Sequence, residues 1–161
     1  MIRALLPIAL ISATAAVASD VQTLEWFVGE WEGSGTLLGQ PSTVTLTISP
    51  ALGGTATALA YRAQTAAAGS RPALSFEGRA TYRITAKGRV EGQWSDNNGS
   101  FHAVGGRIAG TMMTTVWGSP TTEIGRSTYM RDVGGTLTVT DSVLTPDGGW
   151  RMFATATYRK K

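Results

Sequence analysis

Leu74-Ser75-Phe76-Glu77-Gly78-Arg79-Ala80-Thr81-Tyr82-Arg83-Ile84 alternates apolar or small side chains with polar ones at every step. A period of two puts successive side chains on opposite faces of an extended strand, so this segment offers one face to a core and one to water. Val90, Gly92 and Trp94 continue the alternation against Arg89, Glu91 and Gln93, and Ala86-Lys87-Gly88 between the two runs is short enough for a hairpin. Asp96-Asn97-Asn98-Gly99 then turns the chain again. Working outward, the same pattern predicts strands over residues 30–38, 42–50, 55–64, 73–85, 89–95, 99–105, 107–117, 121–131, 135–144 and 149–159. Val133-Gly134-Gly135 and Pro146-Asp147-Gly148-Gly149 are the strongest turn signals, because glycine supplies positive φ.

Every connector is shorter than the dozen or so residues of a parallel crossover, so neighbouring strands pair antiparallel in an up-and-down order. A meander this long curls, since closure removes the exposed edges that would recruit other chains. The expected fold is all-β: an up-and-down antiparallel β-barrel of about ten strands. Val21, Leu24 and Phe27, spaced at three, predict one short helix over Asp20 to Val28, capped at Ser19 or Asp20 and plugging a barrel end.

Met1-Ile2-Arg3 brings one positive charge, Ala4 to Val17 is apolar, and Ala16-Val17-Ala18 has the small-x-small pattern of a cleaved leader, so residues 1–18 read as a signal peptide. A membrane anchor is the rival reading, but the run is shorter than the roughly 20 residues a span needs and contains Pro7. Residues 19–161 suit a single domain, expected to be periplasmic or secreted with no membrane anchor. With no cysteine in the sequence, packing alone must hold it. The formal charge is +3, yet basic residues are spread singly among Thr and Gly, which argues against nucleic acid as a partner. Arg159-Lys160-Lys161 is the one basic run and reads as a solvated tail.

Gly29-Glu30-Trp31-Glu32-Gly33 at the head of the first strand and Ala156-Thr157-Tyr158-Arg159 at the close of the last resemble the calycin superfamily, whose first strand opens with Gly-x-Trp. Within it the chain is similar to bacterial lipocalin-like proteins grouped as DUF1579, which share phrases such as Gly125-Arg126-Ser127-Thr128-Tyr129, Leu137-Thr138-Val139-Thr140-Asp141 and Pro146-Asp147-Gly148-Gly149-Trp150. The resemblance implies a lipocalin-like barrel and a small apolar or amphipathic ligand. Two relatives imply more. The nitrobindin-like group shares Gly29-x-Trp31-x-Gly33-x-Gly35 and holds haem through a histidine near its last strands. Here the sole histidine is His102, mid-chain, sharing a strand face with Ser100 and Val104, so an inward orientation is allowed but not compelled. The fatty-acid-binding group clamps a carboxylate with Arg-x-Tyr on the last strand. Ala156-Thr157-Tyr158 lacks that arginine. No cofactor is expected.

By parity Trp150, Met152, Ala154, Ala156 and Tyr158 share one face of the last strand. If that face is internal, together with Leu137, Val139, Trp117 and Met113, the barrel holds a mostly apolar pocket; a filled core of the same residues is the alternative. Arg126 alternates with Ile124 and Met130, and Asp141 with Leu137 and Val139, so both are expected to interrupt inner faces. Buried charges persist only when paired, so Arg126 and Asp141 should bond each other or offer one partner to an anionic ligand group. The candidate ligand-binding set is therefore Arg126, Asp141, His102, Trp117, Tyr158 and Trp150. Gly29, Trp31 and Arg159 are expected to be structural, with Trp31 closing the barrel base under a cation from Arg159 or Arg151. Arg79, Arg83 and Glu91 fall on the wet face.

Catalytic signatures are thin. There is no Cys nucleophile, no Gly-x-Ser-x-Gly elbow, no second histidine for a zinc site and no glycine loop leading a helix, so no catalytic residue or metal is assigned. Proton transfer by His102, Asp141 and Tyr129 in a dry barrel, as in an isomerase or lyase, is the enzyme alternative, and an interaction module with a solid core is the third.

Overall fold

The computed structural model describes residues 26–85 and 88–161. Ten strands follow one another: β1 (Gly29–Leu37), β2 (Gln40–Ala51), β3 (Ala56–Thr65), β4 (Leu74–Thr85), β5 (Arg89–Asp96), β6 (Phe101–Ala109), β7 (Met112–Gly118), β8 (Ile124–Arg131), β9 (Leu137–Leu144) and β10 (Trp150–Lys160). Each pairs antiparallel with its chain neighbours, and β1 pairs with β10, Trp31 opposite Lys160 through Leu37 opposite Ala154, so the sheet closes into a barrel. The expected leader and most of the expected helix over 20–28 lie outside the described residues. Trp26 and Phe27, at the end of that span, form a turn rather than a helix before entering β1.

The seam between β1 and β10 explains the glycines that follow Trp31. A Cβ on Gly33 would run into the Thr157 carbonyl, and one on Gly35 into the Thr155 carbonyl, so only glycine lets the two backbones approach as closely as closure demands. Turns are equally tight. Leu38 and Gly39 join β1 to β2 with φ of 51° and 77°, the two-residue hairpin in which both central residues are left-handed. β10 is interrupted once, by a bulge between Met152 and Ala154. The freed Phe153 carbonyl accepts the Leu38 N–H at 2.7 Å, tying the bulge to the β1–β2 turn.

Interior side chains divide the barrel into two halves. At the end carrying the start of β1 the filling is complete: Phe27, Trp31, Ile48, Val90, Met113, Leu137 and Tyr158 are all buried, Phe27 packing edge-on against Tyr129 at 5.3 Å. Trp31 is 1% exposed and donates its indole N–H to the Phe27 carbonyl at 2.9 Å. The cation over its ring is Lys160, at 5.8 Å, in place of the expected Arg159 or Arg151; Arg159 points outward on β10 and is exposed. Toward the other end the inner face carries Gly78, Gly92, Thr115, Gly125, Ser127 and Ala154, and small residues there leave the wall unfilled. Among the described residues no helix is long and apolar enough to cross a membrane.

Candidate functional site

The unfilled half is a cavity of about 310 Å³ that opens beside the β1–β2, β5–β6 and β7–β8 turns. Its rim is Leu37, Leu38, Leu74, Asn98, Glu123, Arg151 and Phe153, and its wall is mainly aromatic and aliphatic: Tyr61, Phe76, Trp94, Val104, Trp117, Val139 and Val143. Two indoles are laid flat against the wall by glycines. Trp94 lies over Gly78 and Trp117 over Gly125, where any Cβ would strike the ring. Each indole is also pinned at its nitrogen, Trp94 to the Asp96 carboxylate at 3.0 Å and Trp117 to the Ser127 hydroxyl at 3.2 Å. The rings therefore line space instead of occupying it. Phe76 stacks on Trp94 at 6.3 Å, and His102 stacks on Trp117 at 5.5 Å.

Asp141 is the charged group set deepest. It stands on β9 between Ser127 of β8 and Ala154 of β10, both on the inner face, and the Ser127 side chain hydrogen-bonds its carboxylate. Loss of hydration raises the Asp141 carboxyl from the ordinary 3.8 to about 6, more than the Ser127 bond lowers it. Four phenols sense its charge: Tyr61, Tyr82, Tyr129 and Tyr158. Burial, reinforced by that negative charge, pushes Tyr82 up to about 12 and the other three well above their ordinary value, so all four stay neutral donors at physiological pH. No ion pair reaches Asp141 among the described residues; the three that form, Arg62 to Glu77, Arg89 to Glu91 and Lys161 to Glu32, are on the exposed outer face. At the rim, burial works to raise Asp96, but bonds from Trp94, Ser100 and Asn98 outweigh it and hold the carboxyl below its ordinary value.

Of the six candidates, Asp141, His102, Trp117 and Tyr158 line this cavity together. Arg126 and Trp150 do not. On β8 the inner face is Gly125, Ser127 and Tyr129, which puts Arg126 outside, where its guanidinium lies 4.3 Å over the Trp150 ring. Trp150, 38% exposed, is outside because the bulge reverses parity ahead of Ala154: Trp150 and Met152 face solvent, and Phe153 takes the inner position. The expected Arg126–Asp141 pair is thus corrected to Arg126 on Trp150 and Asp141 without a cation. The candidate set lacked Tyr61, Tyr82, Trp94 and Ser127. Tyr82 and Trp94 were visible on the buried parity of their strands; Ser127 carried no signal, being a small polar residue on a face judged by its neighbours.

The barrel thereby defines a class: a closed ten-stranded antiparallel β-barrel, sealed at one end and hollow at the other. No family model and no curated protein matches the sequence. Solved structures do share the architecture. The crystal structure of Rv2717c from M. tuberculosis superposes with a TM-score of 0.68 at 15% identity, covering 89% of this chain and 98% of that one. At that identity the likeness speaks for the fold alone.

Proposed function

We propose that this protein is a lipocalin-like barrel of the calycin type, allied to the DUF1579 group, that is exported and binds a small apolar or amphipathic molecule in its cavity. The observation that carries the reading is the cavity itself: about 310 Å³ of space walled by aromatic and aliphatic side chains with a few convergent polar groups. A hollow of that size beside a fully packed half is hard to reconcile with a solid interaction module, since interiors otherwise pack to crystal-like density. The test is titration with the neutral dye N-phenyl-1-naphthylamine, followed by its emission. Saturable binding that disappears in Ala154→Trp, whose ring would occupy the cavity, supports the reading. Dye binding unaffected by that substitution places the dye elsewhere and removes the support.

Catalysis is the second reading, favoured by one observation: a carboxyl raised to about 6 in an apolar pocket can both give and take a proton near neutral pH. Of the groups it would use, Tyr129 shares the cavity with Asp141, but its phenol is held neutral well above its ordinary pKa by burial. His102 stacks on Trp117, and none of the ion pairs among the described residues joins it to Asp141. Binding is therefore the function we put forward.

A further inference from the structure

We propose that the ligand carries a basic nitrogen, an ammonium or protonated amine on an aromatic or aliphatic body, anchored at Asp141. The inference rests on the reading of the cavity as a ligand site and names the chemistry that site selects. Asp141, half-buried, lines the cavity with one hydroxyl, Ser127, as its bonding partner and no cation in contact among the described residues. A desolvated carboxylate without a counter-ion is unfavourable, and a ligand ammonium supplies the counter-ion that the fold omits. The same cavity is lined by the aromatic rings of Trp94, Tyr61 and Phe76, a type of surface that attracts a cation more than a neutral or anionic group.

Charges elsewhere in the cavity point the same way. Among the described residues, the groups that face Asp141 from the strands around it are neutral phenols, Tyr61 on β3, Tyr82 on β4, Tyr129 on β8 and Tyr158 on β10. His102 is the one imidazole. At the rim two carboxylates, Asp96 and Glu123, offset two guanidiniums, Arg151 and Arg71, the latter bonded to the Leu38 carbonyl at 3.4 Å, so Asp141 is the unbalanced charge of the cavity. Arg126, the residue suited to an anion, is on the outer surface and stacked on Trp150.

Calorimetry with three probes of one shape tests this: 2-naphthylmethylamine, 2-naphthalenemethanol and 2-naphthoic acid. At pH 7.5 the amine should bind at least about tenfold tighter than the alcohol, with the acid weakest, and in Asp141→Asn the ratio of amine to alcohol should fall to about one. The wild-type ratio should also shrink at pH 5, as the carboxyl takes up its proton; that arm needs no variant. Equal affinity for amine and alcohol in the wild type overturns the inference and leaves the apolar-site reading standing. Tightest binding of the acid overturns it in favour of an anion held by Arg151 or His102. If none of the three binds, the ligand-site reading and the inference fall together.

Discussion

Asp141 ties stability to pH in a direction opposite to most carboxylates. Its carboxyl rises from 3.8 to about 6 on folding, so between those values the folded chain keeps a proton that the unfolded chain has released. The group's contribution is full below pH 3.8 and is lost as pH climbs through about 6. Asp141→Asn has no such dependence. In urea unfolding, its stability advantage over wild type should grow by on the order of 2–3 kcal/mol between pH 4 and pH 7.5; a constant difference would mean the carboxylate is hydrated. Leu38 is a second strained residue, a leucine at φ 51° and 54% exposed on the rim. Left-handed backbone costs a branched side chain roughly 1–2 kcal/mol, so Leu38→Asn, which makes the preferred Asn-Gly turn, should stabilise the barrel by about 1 kcal/mol. The same denaturation assay reads it. Arg126→Ala should leave affinity for cavity probes unchanged while lowering stability by about 0.5–1 kcal/mol through loss of the Trp150 stack.

Strand by strand, the alternation of side chains was enough to place all ten elements, because each has one wet and one dry face. The slips have local causes. A break was expected at Gly106, yet β6 runs on to Ala109 and the chain turns at Gly110 with φ 59°. Gly106 is there for close approach to the Thr114 carbonyl, a reason for glycine that a sequence does not distinguish from a turn. In β10 the bulge reversed the faces of Trp150 and Met152, and nothing in the residue types announces an extra residue. In β8 the hollow itself misled: where the inside is a cavity, Gly125 and Ser127 face in while Ile124 and Met130 face out, so the more apolar parity is the outer one. The glycine beneath each indole gives an element-level prediction. Gly125→Ala should displace Trp117 from its Ser127 bond, shift tryptophan emission and lower stability by about 1–3 kcal/mol, as forced overpacking does. Unchanged emission would show that the ring is free to lie elsewhere.

For the molecule as a whole, closure rests on the last strand meeting the first. Deleting residues 154–161 would leave β1 and the Leu137–Asp141 part of β9 as unpaired edges, each able to recruit another chain. The truncated protein is expected to elute as soluble aggregates in gel filtration and to lose its cooperative unfolding transition; a monomer that unfolds sharply would show that β1 finds another partner. Trp31 and Phe27 have a larger consequence. With that floor packed shut, the barrel is a cul-de-sac, and whatever enters by the doorway beside the β1–β2, β5–β6 and β7–β8 turns must leave by it. A side chain that only narrows the doorway slows arrival and departure by one common factor, so traffic at the threshold and tenancy within can be tuned apart: residence time from the lip, affinity from the chamber.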